Sequence, residues 1–242
     1  MADGHYLIVN ADDFGLSAGV NRGIIRAHEQ GIVTSASLMA RGPAASEAAD
    51  YARRHPNISL GLHVDLGEWA NRDGDWVRLY EVAPEDDEEA VGEEVARQLA
   101  AFRQLVGWNP THLDSHQHVH REGPVRSVMV GLARELGVPL RDCDPGVRYC
   151  GDFYGQTAEG LPLPGIISVG GLTKILAALT PGVTELGCHP GDGEEMDTMY
   201  WRERAEETRV LCDAKVRAAI EAEGIELRSF SERSVEGLRS IG

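Results

Sequence analysis

The sequence lacks any apolar run approaching the ~20 residues that a membrane-spanning helix requires, so a bilayer span is not expected. It lacks a C-x-x-C pair: its four cysteines, Cys143, Cys150, Cys188 and Cys212, are scattered, as in a reduced thiol inventory. The opening Met1-Ala-Asp-Gly-His-Tyr has neither the basic nor the apolar region of a secretory signal, which points to a soluble, cytoplasmic protein. A basic footprint is missing as well. The net charge of -16 argues against nucleic acid or an anionic membrane as partner, because both need Lys and Arg to neutralise phosphates.

The 242 residues suit one large α/β domain spanning 1–242. Short β-rich runs alternate with amphipathic stretches, the mark of βα units around a parallel sheet. Strands are predicted at Tyr6 to Ala11, Val33 to Ala40, Ile58 to Leu66, Thr111 to Asp114, Val138 to Arg141, near Ile166, at Thr184 to Cys188 and at Ile225 to Phe230. Helices are predicted at Gly19 to Gln30, Ala44 to Arg54, Val91 to Val106, Pro124 to Leu136, Gly171 to Leu179 and Arg202 to Ile220, with a short one at the end. Asp142 to Gly170, rich in Gly and Pro, reads as a long loop. Seven or eight strands without an internal boundary favour a (β/α) barrel over an open doubly wound sheet. From Glu81 to Glu94 there are eight carboxylates and no Lys or Arg, which reads as a solvated loop leading into a helix.

Chemistry concentrates in Thr111-His112-Leu113-Asp114-Ser115-His116-Gln117-His118-Val119-His120, where four of nine histidines fall within ten residues. Neutral imidazole and carboxylate are ligands for a catalytic divalent metal. As a strand, the segment puts Asp114, His116, His118 and His120 on one face; as a helix, His112 pairs with His116, or His116 with His120. A catalytic site takes about three protein ligands and keeps a place for water, so other ligands must come from elsewhere.

Three further points lie where predicted strands end, which is where an α/β barrel places its chemistry. Asp12 and Asp13 follow the first strand. Adjacent acids can divide labour between holding a metal and taking a proton, or they can form a turn and helix cap before Leu16-Ser17. His63, inside an apolar run, is a ligand or a satisfied core histidine. His189 is a general acid or a buried hydrogen-bonded residue, and a Cys188–His189 thiol dyad is disfavoured because strand neighbours face opposite sides. Asp114 reads as an orienter of a metal-binding imidazole or as a strand-end cap. Asp-Phe-Gly at 13–15 matches a kinase triplet, but no His-Arg-Asp or glycine-rich loop accompanies it.

The runs Leu7-Ile8-Val9-Asn10-Ala11-Asp12-Asp13-Phe14-Gly15-Leu16-Ser17, Gly31 to Met39, Gly61-Leu62-His63, Thr111 to His120, Cys188-His189-Pro190 and Gly224 to Phe230 resemble, in order, the YdjC/ChbG family of carbohydrate deacetylases. The resemblance implies a distorted (β/α) TIM-like barrel related to polysaccharide deacetylases, with a metal held by one Asp and two His. Position by position, these are Asp13, His63 and His116, with Asp12 as catalytic base. It implies removal of acetyl from N-acetylglucosamine units of short chito-oligosaccharides such as diacetylchitobiose, with His189 protonating the departing amine. Family members are associated with Mg and Zn, and the imidazole-rich shell favours Zn or a similar transition metal. Asp114 is then expected to support His116, and His118, His120 and Arg141 to line the substrate site or back the ligands. The acidic 81–94 stretch and Asp192-Gly193-Glu194-Glu195 fall where substrate loops are expected. A phosphorylated sugar suits so acidic a chain only if Arg121, Arg141 or Arg148 forms a local positive pocket. Rival readings are a metal-dependent hydrolase of another amide or a phosphoester, and a sugar-binding protein with a structural metal. A homodimer is a fair expectation.

Overall fold

The computed structural model describes residues 4–157, 159–193 and 196–232. Strand β1 (His5–Phe14) is buried along nearly its whole length, the pattern of a central parallel strand with both faces covered. Ser17 then caps α1 (Ala18–Glu29), its side chain accepting the Val20 amide at 3.1 Å, and β2 (Ser35–Leu38), α2 (Ala45–Arg54) and β3 (Ser59–Val64) complete two more βα units. After β3 the chain leaves the sheet as an antiparallel hairpin, β4 (Gly67–Arg72) and β5 (Asp75–Glu81). Helix α3 (Glu88–Val106) follows, then β6 (Leu113–Ser115), a 3-10 turn at His116–Arg121, α4 (Gly123–Leu136) and β7 (Arg148–Cys150). The chain continues through α5 (Val169–Ala177), β8 (Gly182–Cys188), α6 (Arg202–Leu211), α7 (Ala214–Ala222) and β9 (Ile225–Leu227).

The main sheet is parallel in the order β6-β3-β2-β1-β8-β7, with β9 beside the start of β1. It curls strongly. Strands β6 and β8 would be roughly 19 Å apart in a flat sheet at ~4.8 Å per strand, yet the Arg141 guanidinium touches Asp114 on β6 at 2.8 Å and Glu185 on β8 at 2.6 Å. The result is a half-barrel with polar groups converging inside the curl. Its outer face packs on the helices through Ile24, Ala48, Phe102, Met129, Leu172 and Val216, and no described helix is long and apolar enough to cross a membrane.

Three local expectations change. The hairpin at 67–81 was not anticipated; its Asp73-Gly74 turn has φ of 56° and 98°, the left-handed pair that a tight two-residue hairpin turn needs. Val138 to Arg141 makes only one bridge, Leu113 to Leu140, and the strand inside the long loop is β7 at 148–150 rather than near Ile166. The helix expected over Arg202 to Ile220 is two helices, because Asp213 stops α6 and caps α7 through the Lys215 amide. The acidic stretch is, as expected, a loop leading into a helix: Asp87 accepts the Glu89 and Ala90 amides at the start of α3, where acids favour the helix dipole. The short terminal helix falls mostly outside the described residues, as do Glu194 and Glu195.

Candidate active site

Two consecutive acids face the interior of the curl because the end of β1 breaks the alternation of a regular strand. Asn10 and Ala11 pair with Ser35 and Ala36, but Phe14 pairs with Leu38, so β1 carries an extra residue there, and Asp13 sits at φ 66°. Bulges of this kind re-aim side chains, and Asp is among the few residues that tolerate left-handed backbone. Both acids are buried, and helix capping falls to Ser17, so the turn-and-cap reading of the pair is set aside.

Asp13 Oδ1 lies 3.2 Å from His63 Nε2, delivered by β3, and 3.1 Å from His116 Nδ1, delivered by the turn after β6. Donors arranged tetrahedrally at ~2.0–2.1 Å around one ion stand about 3.3 Å apart, so this spacing fits a shared divalent cation. The nitrogens supply a second sign. His63 Nε2, which faces Asp13 Oδ1, is buried without a hydrogen-bond partner, which is costly unless something else meets it. Burial works against charging these imidazoles, yet Asp114 and Asp13 around His63 hold its pKa well above the ordinary histidine range. Burial is likewise outweighed at His116, pushed up to about 9 by Asp13 and Glu68. The site is thus built to hold positive charge, and a dication can take the place of the two protons.

The surrounding groups fix this trio. Asp114 Oδ1 takes the other nitrogen of His63, Nδ1, at 2.8 Å, so Asp114 supports His63 rather than His116. Asp13 Oδ2 accepts from Arg204 Nη2 at 2.6 Å; despite burial, that cation holds the Asp13 carboxyl well below the usual range. Arg141 grips Asp12 with both arms of its fork, at 2.6 and 2.7 Å, and Asn10 Nδ2 donates to Asp12 Oδ1 at 2.9 Å. Burial raises the Asp12 pKa, but Arg141 lowers it further, so Asp12 stays ionised. Asp12 Oδ2 then faces His189 Nε2 at 3.8 Å. His189 stands against the stacked rings of Tyr154 and Tyr200, at 5.3 and 5.4 Å between centroids, with its backbone amide donated to Glu207 at 2.5 Å. Burial lowers its pKa to about 4, so it is neutral at pH 7. Cys188 points the other way, its thiol donating to the Asn10 carbonyl at 3.3 Å.

The remaining histidines of the cluster separate by role. His112 bonds Ser37 and Thr111 and stacks on Phe230, a packing role. His120 lines no pocket: it is fully buried, holding Ser115 at 2.6 Å and the Arg141 carbonyl at 3.1 Å, and so fixes the backbone of Arg141. His118 has Nε2 3.4 Å from the Tyr149 hydroxyl, while its Nδ1 is buried without a partner. No free positive pocket forms among the three candidate arginines. Arg141 is enclosed by Asp12, Asp114 and Glu185, Arg121 pairs with Asp142, and Arg148 bonds Thr184 and the carbonyls of Thr180 and Pro181. Arg204, Glu68, Tyr154 and Tyr200 escaped the sequence reading. Arg204 carried a faint signal, an Arg followed at three residues by Glu207, both on the apolar side of a helix.

A profile described as YdjC-like protein matches residues 6–222. The chain is 35% identical to the carbohydrate deacetylase of Geobacillus stearothermophilus, across 94% of this chain and 97% of that one. It is 33% identical to the chitooligosaccharide deacetylase of Serratia marcescens, across 93% and 98%. Among solved structures, a proposed cellobiose-phosphate cleavage protein of Enterococcus faecalis superposes with a TM-score of 0.75 at 26% identity, covering 95% of this chain and 98% of the other. The family 4 carbohydrate esterase of Streptomyces lividans shares the fold, with a TM-score of 0.55 at 12% identity, covering 94% and 93%. The half-barrel is therefore of the carbohydrate esterase, or polysaccharide deacetylase, type.

Proposed function

The chain belongs to the YdjC-like protein family, and from that premise we propose that it is a metal-dependent carbohydrate deacetylase, residues 1–242 forming one catalytic domain. Its proposed substrates are N-acetylglucosamine units of short chito-oligosaccharides such as diacetylchitobiose. The observation that carries the reading is the convergence of Asp13 Oδ1, His63 Nε2 and His116 Nδ1, with a second, arginine-held acid, Asp12, beside them. A structural metal site closes its shell and has no use for that neighbouring carboxylate.

Asp13, His63 and His116 would hold the ion, with Zn favoured by the two imidazoles and Mg or another transition metal as alternatives. When bound, it supplies a Lewis acid that polarises the acetamide carbonyl and makes water acidic enough to attack at neutral pH. Asp12 Oδ2 takes the proton of the attacking water. Arg141 keeps that carboxylate ionised and aimed, which preserves the acceptor form at a cost in basicity. His189 is neutral at rest, so it cannot begin as the acid; its Nε2 takes from Asp12, 3.8 Å away, the proton that Asp12 drew from the water and delivers it to the leaving nitrogen, which returns both residues to their resting forms. Tyr154 and Tyr200 hold the His189 ring upright for that delivery. The test is product analysis with N-acetylated sugars: acetate and free amine in equal amounts support the proposal, whereas inorganic phosphate from a sugar phosphate would support the phosphoester rival. A carbohydrate substrate needs neither nucleic acid nor membrane as partner.

A further inference from the structure

The hairpin β4–β5 leaves the sheet two residues after β3 and returns a carboxylate to the site. Glu68 on β4 is 7% exposed, and among the described residues its one ion-pair contact is His116 Nε2, 3.8 Å from Oε2. That nitrogen is one of the buried atoms without a hydrogen-bond partner, and it lies on the side of the ring opposite Nδ1, which faces Asp13. The hairpin is also pinned to the same turn: Trp69 donates its amide to Gln117 Oε1 at 2.9 Å, and Gln117 Nε2 donates to the Trp69 carbonyl at 2.8 Å. Gln117 adopts φ 50°, a left-handed conformation that fixes where His116 begins its turn.

We infer that Glu68 is the positioning carboxylate of His116, accepting a hydrogen bond from Nε2–H so that Nδ1 presents its lone pair to the ion. This rests on the metal reading above. The arrangement mirrors Asp114 on His63 with the nitrogens exchanged: Asp114 takes Nδ1 and leaves Nε2 free, while Glu68 takes Nε2 and leaves Nδ1 free. Closing 3.8 Å to a hydrogen bond of about 2.8–3.0 Å needs a shift of roughly 1 Å, within reach of a glutamate side-chain rotation. Imidazoles that bind metals are commonly fixed in this way, and loss of the outer partner typically weakens affinity by about 10–100-fold. The hairpin is thereby part of the metal site and not only a wall beside it.

The experiment is competition for Zn2+ against a chromophoric chelator, using wild type, Glu68→Ala, Glu68→Gln and His116→Ala, with thermal unfolding of each metal-free protein measured alongside. Glu68→Ala is expected to bind Zn2+ about 10–100-fold more weakly at an unchanged metal-free unfolding midpoint, with Glu68→Gln, which keeps an acceptor, recovering part of the loss. Zn2+ affinity of Glu68→Ala within twofold of wild type would overturn the inference. So would a loss as complete as that of His116→Ala, which would make Glu68 a ligand itself, or a Glu68→Gln no better than Glu68→Ala. Wild type that fails to bind Zn2+ would overturn the metal reading itself, and is recognised by the absence of any binding to compare.

Discussion

Replacing Arg141 with Met removes the one cation that three buried carboxylates share. Its guanidinium lies 2.6 Å from Asp12, 2.8 Å from Asp114 and 2.6 Å from Glu185, and its side chain is only 1% exposed. Breaking a buried pair by removing one partner costs about 3–5 kcal/mol, because the remaining charge is stranded out of water. Three stranded partners put the cost at the upper end of that range, against a total stability of about 5–15 kcal/mol. At roughly 2–4 °C per kcal/mol for a chain of this length, the melting temperature should fall by about 10–20 °C. The loss also depends on pH. In wild type, Arg141 outweighs burial and holds Asp12 and Asp114 below their ordinary range, so their stabilisation is present above pH ~3.9 and is lost only as pH falls through those lowered values. In Arg141→Met burial loses its chief opponent at all three carboxyls, although His63 still faces Asp114 and Asn10 still donates to Asp12. Glu185, which burial already pushes up to about 7 beside Arg141, rises further, so ionising it costs more as pH increases. The gap between wild type and variant should therefore be wider at pH 8 than at pH 5. Urea unfolding of the metal-free proteins at both values reads it directly. A loss under ~1 kcal/mol at pH 8, or a gap flat in pH, would refute the reasoning.

Asp12→Asn should keep metal content near wild type while lowering kcat by at least ~100-fold, as loss of a general base does; undiminished turnover would remove Asp12 from that role. His116→Ala should lose bound metal by elemental analysis, and full occupancy would move the ligand to another histidine. Gly23→Ala places a Cβ 2.2 Å from the Gly191 Cα, so α1 must separate from the loop after β8 at a cost of about 1–3 kcal/mol in urea unfolding. Phe102→Ala empties a fully buried position on α3 and should cost about 3–5 kcal/mol in the same assay, with metal affinity unchanged.

The parallel core was legible because β1, β3 and β8 are apolar runs with polar residues at their C-terminal ends, and those ends carry Asp12, Asp13, His63 and His189. His116 was singled out through the family resemblance, since period-2 and period-4 spacing both admit several histidines; left-handed Gln117 and His118, with φ of 50° and 56°, make the segment neither strand nor α-helix. The hairpin was missed because its strands carry charge on both faces, although Asp73-Gly74 between Trp-bearing runs is a hairpin signal. With it went Glu68. Arg204 could not be read from its neighbours, since its partner Asp13 lies 191 residues away and only the packing of α6 against α1 brings them together. Asp114 was assigned to the wrong imidazole for a related reason: β6 pairs with β3, which sets Asp114 directly opposite His63.

The most direct measurement is acetate release from N-acetylglucosamine oligomers by protein stripped of metal and then restored with single divalent ions. The account predicts no turnover after stripping, and return of activity with Zn2+ or a related transition metal, yielding one free amine per acetate. Turnover that survives stripping, or no acetate from any N-acetylated sugar with any ion, would contradict it.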